Sequence, residues 1–588
     1  MPKISLSKNA LMILEQRYLK KNYKGRIIEK PEDLFKRVAK VVAQADSKYK
    51  KRNVKKTEEE FYNLMASLDF LPNSPTLLNA GRKLQQLAAC FVLPIEDDID
   101  SIFKTLHYTA LIHKTGAGTG FNFSKLRPKG DIIESAGFTS GPVSFMKIFD
   151  AATEQIKLGG TLRGANMGIL NANHPDIKDF ITVKSKENVL TNFNVSVAVT
   201  NRFMDAVKKN KTYNLVSPRT NKAVKNESAR RIFRLICEQA WLNGDPGVVF
   251  IDRINDFNPT PKLGAIESTD SCGEQPLLPY ESCNLGSINL ANMVENKKVN
   301  YEKLKKTIHI AIHFLDNVID VCDYPLKENK KIVYKNRKIG LGVMGFADML
   351  VKLGIAYDSE KGLEIAEEVM KFISKEASIA SMNLASERGT FPSWKESAWN
   401  RKSRHYKGCH MLLRNATITT IAPTGTISII ADVSSGIEPL FALSYIRRTA
   451  EGKTLVYFDK NLKKALIEND LYKDEDIVEK ITREGSIKNI DKLPEKLKRI
   501  FVVGNDIAPE WHVRMQAAFQ KYVDNGISKT VTLPKDATVE EVEKIFMMAF
   551  EFGCKGISVY RYGSREGQVI YLSSKRDEQI TLSNFIKK

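Results

Sequence analysis

Three observations predict an α/β protein: helical stretches alternate with short apolar or β-branched runs, the chain has 588 residues, and 43% of them are apolar. That length exceeds one small domain and is enough to bury a large core. Residues 4 to about 70 carry helical spacing, with Leu11, Leu14 and Tyr18 on one stripe and Phe61, Leu64 and Leu68 on another. Pro72, Asn73, Ser74 and Pro75 end that pattern. Strand-like runs follow at 90–94, 194–199, 247–251, 418–422 and 556–560. Between them, helices are predicted at 303–322 (Leu304, Ile308, Ile312, Leu315, Ile319) and 360–386 (Leu363, Ala366, Met370, Ile373). Residues 566–588 read as a polar, loosely held tail, and no fixed-period repeat is present.

Formal charge is +21, from 90 Lys+Arg against 69 Asp+Glu. A basic chain favours anionic partners, but charge alone does not separate nucleotide from nucleic acid or membrane. The lysines are scattered, as at Lys20-Lys21, Lys55-Lys56 and Lys330-Lys331, so most are read as solvated faces. No aromatic-interleaved basic module supports nucleic-acid binding. Lys3, Lys8 and Glu15 interrupt any signal-peptide core, and the longest uncharged run, 416–431, holds Pro423 and Gly425. The expectation is a soluble, cytoplasmic protein without membrane contact. The seven cysteines form no CxxC pair, so buried or reactive thiols are expected rather than a disulfide scaffold.

Several segments carry candidate chemistry, each beside a plainer reading. Gly340-Leu341-Gly342-Val343-Met344-Gly345 matches GxGxxG, but charged residues 334–338 precede it where a dinucleotide site needs a buried strand. Tight helix–backbone packing is the preferred reading. Pro423-Thr424-Gly425-Thr426-Ile427-Ser428 is a hydroxyl-rich turn, suited either to a phosphate or to ordinary capping. The glycine-dense stretches 115–120 and 157–164 read as connectors or as loops that approach a ligand, with Lys114 and Arg163 beside them. Asp270-Ser271-Cys272-Gly273-Glu274 sets a thiol two residues from a carboxylate on each side, in a proline-bearing loop. Cys272 and Cys283 lack zinc-ligand spacing, as do His405, Cys409 and His410, and no metal is expected. Cys237, Cys322 and Cys554 lie in apolar patterns and are read as buried.

The order of these pieces is more specific than any one of them. Asn73-Ser74-Pro75-Thr76-Leu77-Leu78-Asn79, then Ala89-Cys90-Phe91-Val92, Ser140-Gly141-Pro142-Val143, Cys272-Gly273-Glu274, Glu281-Ser282-Cys283-Asn284-Leu285, residues 339–348 and residues 422–428 follow one another. This series resembles the large subunit of ribonucleotide reductase from about residue 8 to about 565. The closing segment Gly556-Ile557-Ser558-Val559-Tyr560-Arg561-Tyr562-Gly563 resembles the adenosylcobalamin-dependent class II. Tyr560 and Tyr562 are not the adjacent pair of the metal-radical class, and no C-terminal glycyl-radical site is present.

The resemblance implies a ten-stranded α/β barrel of two five-stranded halves around an internal finger loop. It divides the chain into a helical region 1–80, a barrel 81–565 and a tail 566–588. It implies a thiyl radical at Cys272, a proton acceptor at Glu274 and a redox pair in Cys90 and Cys283. Asp270 joins this catalytic set, and Ser74, Thr76, Ala89, Gly120, Pro423, Thr424, Gly425, Thr426 and Ile427 would contact the ribonucleotide substrate. Asp97, Asp98, Ile99, Lys114 and Arg163 would bind a deoxynucleoside triphosphate effector, in a homodimer whose interface or core takes apolar stripes near 100–112 and 143–157. A dithiol reductant such as thioredoxin would recycle the enzyme.

Three departures bear on these expectations. Asp270 stands where the family has Asn. A protonated Asp270 beside an ionised Glu274 is the arrangement expected from two crowded carboxyls. No CxxC follows the barrel, which leaves the reductant open, and no N-terminal activity cone is evident, so overall dATP inhibition is not expected. No Asp-x-His-x-x-Gly is present, which argues against a histidine-ligated cobalamin. The competing reading is a catalytically silent nucleotide-binding paralogue.

Overall fold

The computed structural model describes residues 4–49, 53–133, 137–158, 162–448, 454–564 and 570–571. Its ten-stranded sheet consists of β1 (Phe70–Pro72), β2 (Cys90–Val92), β3 (Gly118–Asn122), β4 (Asn166–Asn171), β5 (Phe193–Val199), β6 (Gly247–Phe250), β7 (Ser282–Asn289), β8 (Ile339–Met344), β9 (Thr530–Leu533) and β10 (Gly556–Arg561). From β2 to β6 each strand pairs in parallel with the next. The second half is also parallel: β7 pairs with β8, and β9 with β10. Between β8 and β9 runs an extended segment held by the bridges Leu341–Thr419 and Ile421–Ile527. The halves join antiparallel, β2 against β7 and β6 against β10. The result is a closed ring of two five-membered halves, with β1 paired outside it along the end of β7.

The residue pattern explains the ring. Parallel strands are covered on both faces, so they read as continuous apolar runs rather than as alternation. Phe193, Val195, Val197 and Val199 of β5 are buried, and so are Leu341 and Val343 of β8. Outside the ring lie α1 (Pro31–Ala43), α2 (Val54–Ala66), α3 (Ile99–His113), α4 (Pro142–Gln155), α5 (Tyr301–Val321) and α6 (Glu360–Arg388). One large apolar cluster joins α1, α2, α5 and α6 to the β7–β8 half, and a second covers the β2–β6 half.

Inside the ring, Ser268–Thr269 pairs with Pro276–Leu277, and residues 270–275 form the tip of a finger loop. Asn194 Nδ2 on β5 donates to the Ser271 carbonyl at 2.7 Å, and Thr420 Oγ1 donates to the Glu274 carbonyl at 2.8 Å. The finger is therefore gripped from both halves. Glycine makes the grip possible: a Cβ on Gly120 would lie 1.7 Å from the Thr269 carbonyl oxygen, and one on Gly526 2.5 Å from that of Gly273.

Some expectations change. Residues 118–120 belong to strand β3 rather than to a connector, and the 418–422 strand survives only as bridges. Gly340 and Gly342 lie within β8, where a Cβ would meet Leu285, Gln275 and Thr420. Their packing is tight, but it is against strand and finger rather than helix. The charged residues before them are not a solvated loop: Arg337 pairs with Asp316 and Asp320, and Lys338 with Glu281, all buried. Of the 157–164 stretch, Lys157–Leu158 pairs with Leu162–Arg163, and 159–161 lie outside the described residues. The tail lies outside them too, except for 570–571.

Candidate active site

Cys90 and Cys283 face each other directly across the antiparallel joint between the two barrel halves. Opposed residues in such a pair have Cα atoms about 4.5–5.5 Å apart, inside the range of about 4.4–6.8 Å that a disulfide needs. Both are free, buried thiols in a small apolar cluster with Val92, Leu277, Leu285 and Ala422. The finger brings Asp270, Cys272 and Glu274 to this joint. The Cys90 sulfur and one carboxylate oxygen each of Asp270 and Glu274 lie within 4.8 Å of one another.

Cys272 retains accessible surface although protein surrounds it, because that surface faces a cavity of about 640 Å³. The cavity runs from Cys272 and Gly273 to Pro423 and Ser428, with Tyr445 and Tyr457 stacked in its wall, centroids 4.5 Å apart. Burial, then the Glu274 and Asp270 charges, push the Cys272 thiol well above its ordinary range. Burial, then the same two carboxyls, act likewise on Cys90. Burial, then Glu281, raise Cys283. Three thiols kept as S–H suit hydrogen-atom and two-electron chemistry better than thiolate attack.

Burial acts on both carboxyls of the finger. Burial raises Asp270, while hydrogen bonds from the Cys90 thiol, the Gln275 N–H, Glu274 and the Cys272 backbone oppose that rise. Burial and then the Asp270 charge push Glu274 well up, and its Oε2 has no hydrogen-bond partner.

Sequence-predicted phosphate contacts converge only in part. Ser74 Oγ meets Tyr18 OH at 2.7 Å, and Arg17 Nη1 donates to Thr426 Oγ1 at 3.3 Å. The 423–427 turn is thereby tied to the helix that begins at Ser74. Thr424, at φ +54°, accepts the Gly436 N–H through Oγ1, and Ile427 opens a short helix after Gly425. Thr76 is turned away, donating to the Leu87 carbonyl at 2.9 Å. Ala89 uses its N–H and carbonyl in the sheet, toward Cys283 and Gly118. Gly120 packs against the finger at Thr269, in the direction in which a Cβ would point. Arg17 and Tyr18 escaped the sequence reading because they sit in an amphipathic helical stripe. Gln275, fully buried with both amide atoms unpartnered, adjoins Glu274 in sequence and was the one contact that adjacency to the motif signalled.

Asp97, Asp98 and Ile99 stand at one end of α3 and Lys114 at the other. Asp97 binds Arg127 Nε at 2.7 Å, Asp98 caps α3 through the Ser101 N–H, and Ile99 begins that helix. Lys114 follows its last residue. A helix of 15 residues holds its ends about 22 Å apart. The Arg163 side chain lies outside the described residues, and its backbone pairs with Lys157.

Cys237, Cys322 and Cys554 are buried as their surroundings predict, and Cys409 is exposed. Among the described residues, no helix is long and apolar enough to cross a membrane.

Comparison with known proteins places these features in a family. The family model "Ribonucleotide reductase, barrel domain" matches residues 88–560, and "Ribonucleotide reductase, all-alpha domain" matches residues 4–85. A vitamin B12-dependent ribonucleoside-diphosphate reductase of Thermoplasma acidophilum is 47% identical, over 96% of this chain and 80% of the relative. A protein of the same description from Mycobacterium tuberculosis is 46% identical, over 96% and 81%. Among solved structures, the class Id ribonucleotide reductase alpha subunit of Actinobacillus ureae superposes with a TM-score of 0.76 at 23% identity, over 96% of this chain and 98% of that one, a likeness of fold.

Proposed function

The chain belongs to the ribonucleotide reductase family, and from that premise we propose that it reduces ribonucleoside diphosphates to 2′-deoxyribonucleotides with adenosylcobalamin. The observation that carries this reading is the set of three thiols and a carboxyl gathered by the finger: Cys90 opposite Cys283, with Cys272 and Glu274 beside them. Retention of all four favours catalysis over a silent nucleotide-binding paralogue.

The cavity beneath Cys272 fits a cobalamin's reactive end. It has a thiol at its floor, a stacked tyrosine wall and Ser434 and Lys460 on its rim, and no histidine is among its lining residues. When bound, the cofactor supplies the one-electron chemistry that turns the Cys272 thiol into a thiyl radical. Cys272 Sγ then removes the substrate 3′-hydrogen, and Glu274 receives the 3′-hydroxyl proton. Cys90 and Cys283 give up two hydrogens and join as a disulfide: one hydrogen leaves with the 2′-hydroxyl as water, and the other ends on C2′; Cys272 then returns its hydrogen to C3′, and Glu274 returns the proton to the 3′-oxygen. Ser74, Thr426, Arg17 and the 423–427 turn hold the phosphates, and Thr76 ties the Ser74 helix to the Leu87 carbonyl.

A homodimer completes the effector site. The separation of Asp97, Asp98 and Ile99 from Lys114 along α3 is what a site shared between copies requires, and Ile99, Phe103 and Ile148 present exposed apolar surface on α3 and α4. Deoxynucleoside triphosphates bind there and set substrate choice. Residues 1–80 are the helical region, 81–565 the barrel and 566–588 the tail. A cytoplasmic dithiol protein of the thioredoxin type reopens the disulfide.

The test is anaerobic incubation of the protein with adenosylcobalamin, a dithiol and each ribonucleotide. Deoxynucleotide formation without a second protein is expected, and none from Cys272→Ser. Activity that arises only with a metal-radical subunit refutes the cofactor assignment.

A further inference from the structure

The position two residues before Cys272 is where this chain leaves its family, and the change puts a second acid inside the barrel. An Asn there donates and accepts through its amide and never ionises. Asp270 and Glu274 are each 2% exposed. An oxygen of each lies within 4.8 Å of the other and of the Cys90 sulfur. Two carboxyls so close and so dry do not both ionise, and their titrations belong to the pair.

Hydrogen bonding decides where the proton rests. Asp270 Oδ1 accepts the Gln275 N–H at 3.0 Å, and the Cys90 thiol and the Cys272 backbone also bond to this carboxyl. These contacts stabilise a carboxylate. Glu274 has only its own backbone N–H of this kind, and its Oε2 has no partner, so this group gains less from ionising. The other titratable groups bearing on the pair are the Cys272 thiol on the finger and the Cys283 thiol on β7, which stands beside the Lys338–Glu281 ion pair.

We propose that Glu274 carries the single proton of the pair and that Asp270 is the base that receives it during turnover. This rests on the reading of the site given above. The substrate 3′-hydroxyl passes its proton to the unpartnered Oε2 of Glu274 as Glu274 passes its own to Asp270. One O–H bond breaks and one forms in each transfer, the negative charge moves from Asp270 to the substrate oxygen, and no electrons are exchanged. The relay needs an ionisable group at 270, which Asn does not offer. Asp270 is thus a positioning and proton-accepting residue that acts through Glu274. The rise of Glu274 beyond that of Asp270, from burial and the neighbouring charge, agrees with this division.

Infrared difference spectroscopy of the cofactor-free protein reads carboxyl protonation directly. Besides Asp459, whose carboxyl burial and then Asp348 push up to about 7, the wild type should show one protonated buried carboxyl at neutral pH. Glu274→Gln should abolish that band. Asp270→Asn should keep it but move its titration to lower pH, since the repelling charge is gone. In turnover, Glu274→Gln should lose about 100-fold or more in kcat/KM, the scale of a general base. Asp270→Asn, which restores the family residue, should shift the acid limb of kcat/KM to higher pH, because a lone buried Glu274 must first ionise. A band that survives Glu274→Gln and vanishes in Asp270→Asn would put the proton on Asp270. The absence of any protonated carboxyl besides Asp459 in the wild type, or superimposable pH profiles, would also overturn the proposal. If the wild type makes no deoxynucleotide, the functional reading and the transfer step fall together, while the infrared band still decides where the proton rests.

Discussion

At the scale of single residues, environment sorts seven cysteines that look alike in sequence. Cys90 and Cys283 share a joint, whereas Cys237 packs in the outer core of the β2–β6 half. Cys90→Ser or Cys283→Ser should therefore stop dithiol-driven turnover while leaving 3′-hydrogen exchange by Cys272 intact. Peptide mapping after one turnover without dithiol should find a Cys90–Cys283 bridge, and its absence would refute the pairing. His113 offers a stability test. Its Nε2 lies 3.0 Å from Thr119 Oγ1, its Nδ1 has no partner, and burial lowers its pKa to about 4. A base whose pKa falls on folding binds its proton more tightly when unfolded. The stability it contributes is complete above the unfolded value of about 6.5 and is lost as pH falls toward about 4, by roughly 3 kcal/mol. Denaturant midpoints should decline across that window, and His113→Gln should flatten the decline; parallel curves would exclude His113 as the source.

At the scale of elements, the finger and α3 carry the argument. Gly120→Ala would drive a methyl into the Thr269 carbonyl and displace the finger. A displacement of about 1 Å at reacting groups costs about 100-fold in rate, so turnover should fall by that order while circular dichroism is unchanged. Normal turnover would mean that the finger tolerates the shift. On α3, Phe103→Glu places a charge on exposed apolar surface beside Ile99. Sedimentation should then report a monomer, and substrate preference should no longer respond to deoxynucleotides. A dimer that still responds would place the interface elsewhere.

At the scale of the whole molecule, a buried charge network fastens the helical N-terminal region to the barrel. Asp46 bonds His313, Asn317 and Arg388, and Arg388 bonds Asp316, which Arg337 and Arg414 also reach. Burial alone would raise the Asp316 carboxyl, but Arg337, Arg414 and Arg388 hold it far below its usual range. An acid with a lowered folded pKa stabilises above its unfolded pKa of about 3.9, and that stability is lost as pH falls further. Asp316→Asn should cost about 3–5 kcal/mol at neutral pH, because three buried guanidiniums lose a counter-charge that they share. A denaturation midpoint within experimental error of wild type would show that the network is not a fastening.

The sequence by itself determined the α/β class, the helices at Tyr301–Val321 and Glu360–Arg388, and the thiols and carboxyls of the finger motif. These are local properties: periodicity marks a helix, and an ordered series of short motifs marks a family. Tertiary structure alone decided the rest. The residues of β3 read as a connector or ligand loop and those of β8 as a helix–backbone contact, because their glycines answer to a finger loop about 150 residues away from β3 and to Gln275 and Thr420 beside β8, neither of which leaves a local signal. The burial of Arg337 and Lys338 was not legible because the acids that neutralise them, Asp316, Asp320 and Glu281, lie elsewhere in the chain. The exchange of roles proposed for Asp270 and Glu274 has the same origin. Both residues were legible as candidates, but which one holds the proton depends on the donors each meets after folding, and a sequence lists groups without stating their neighbours.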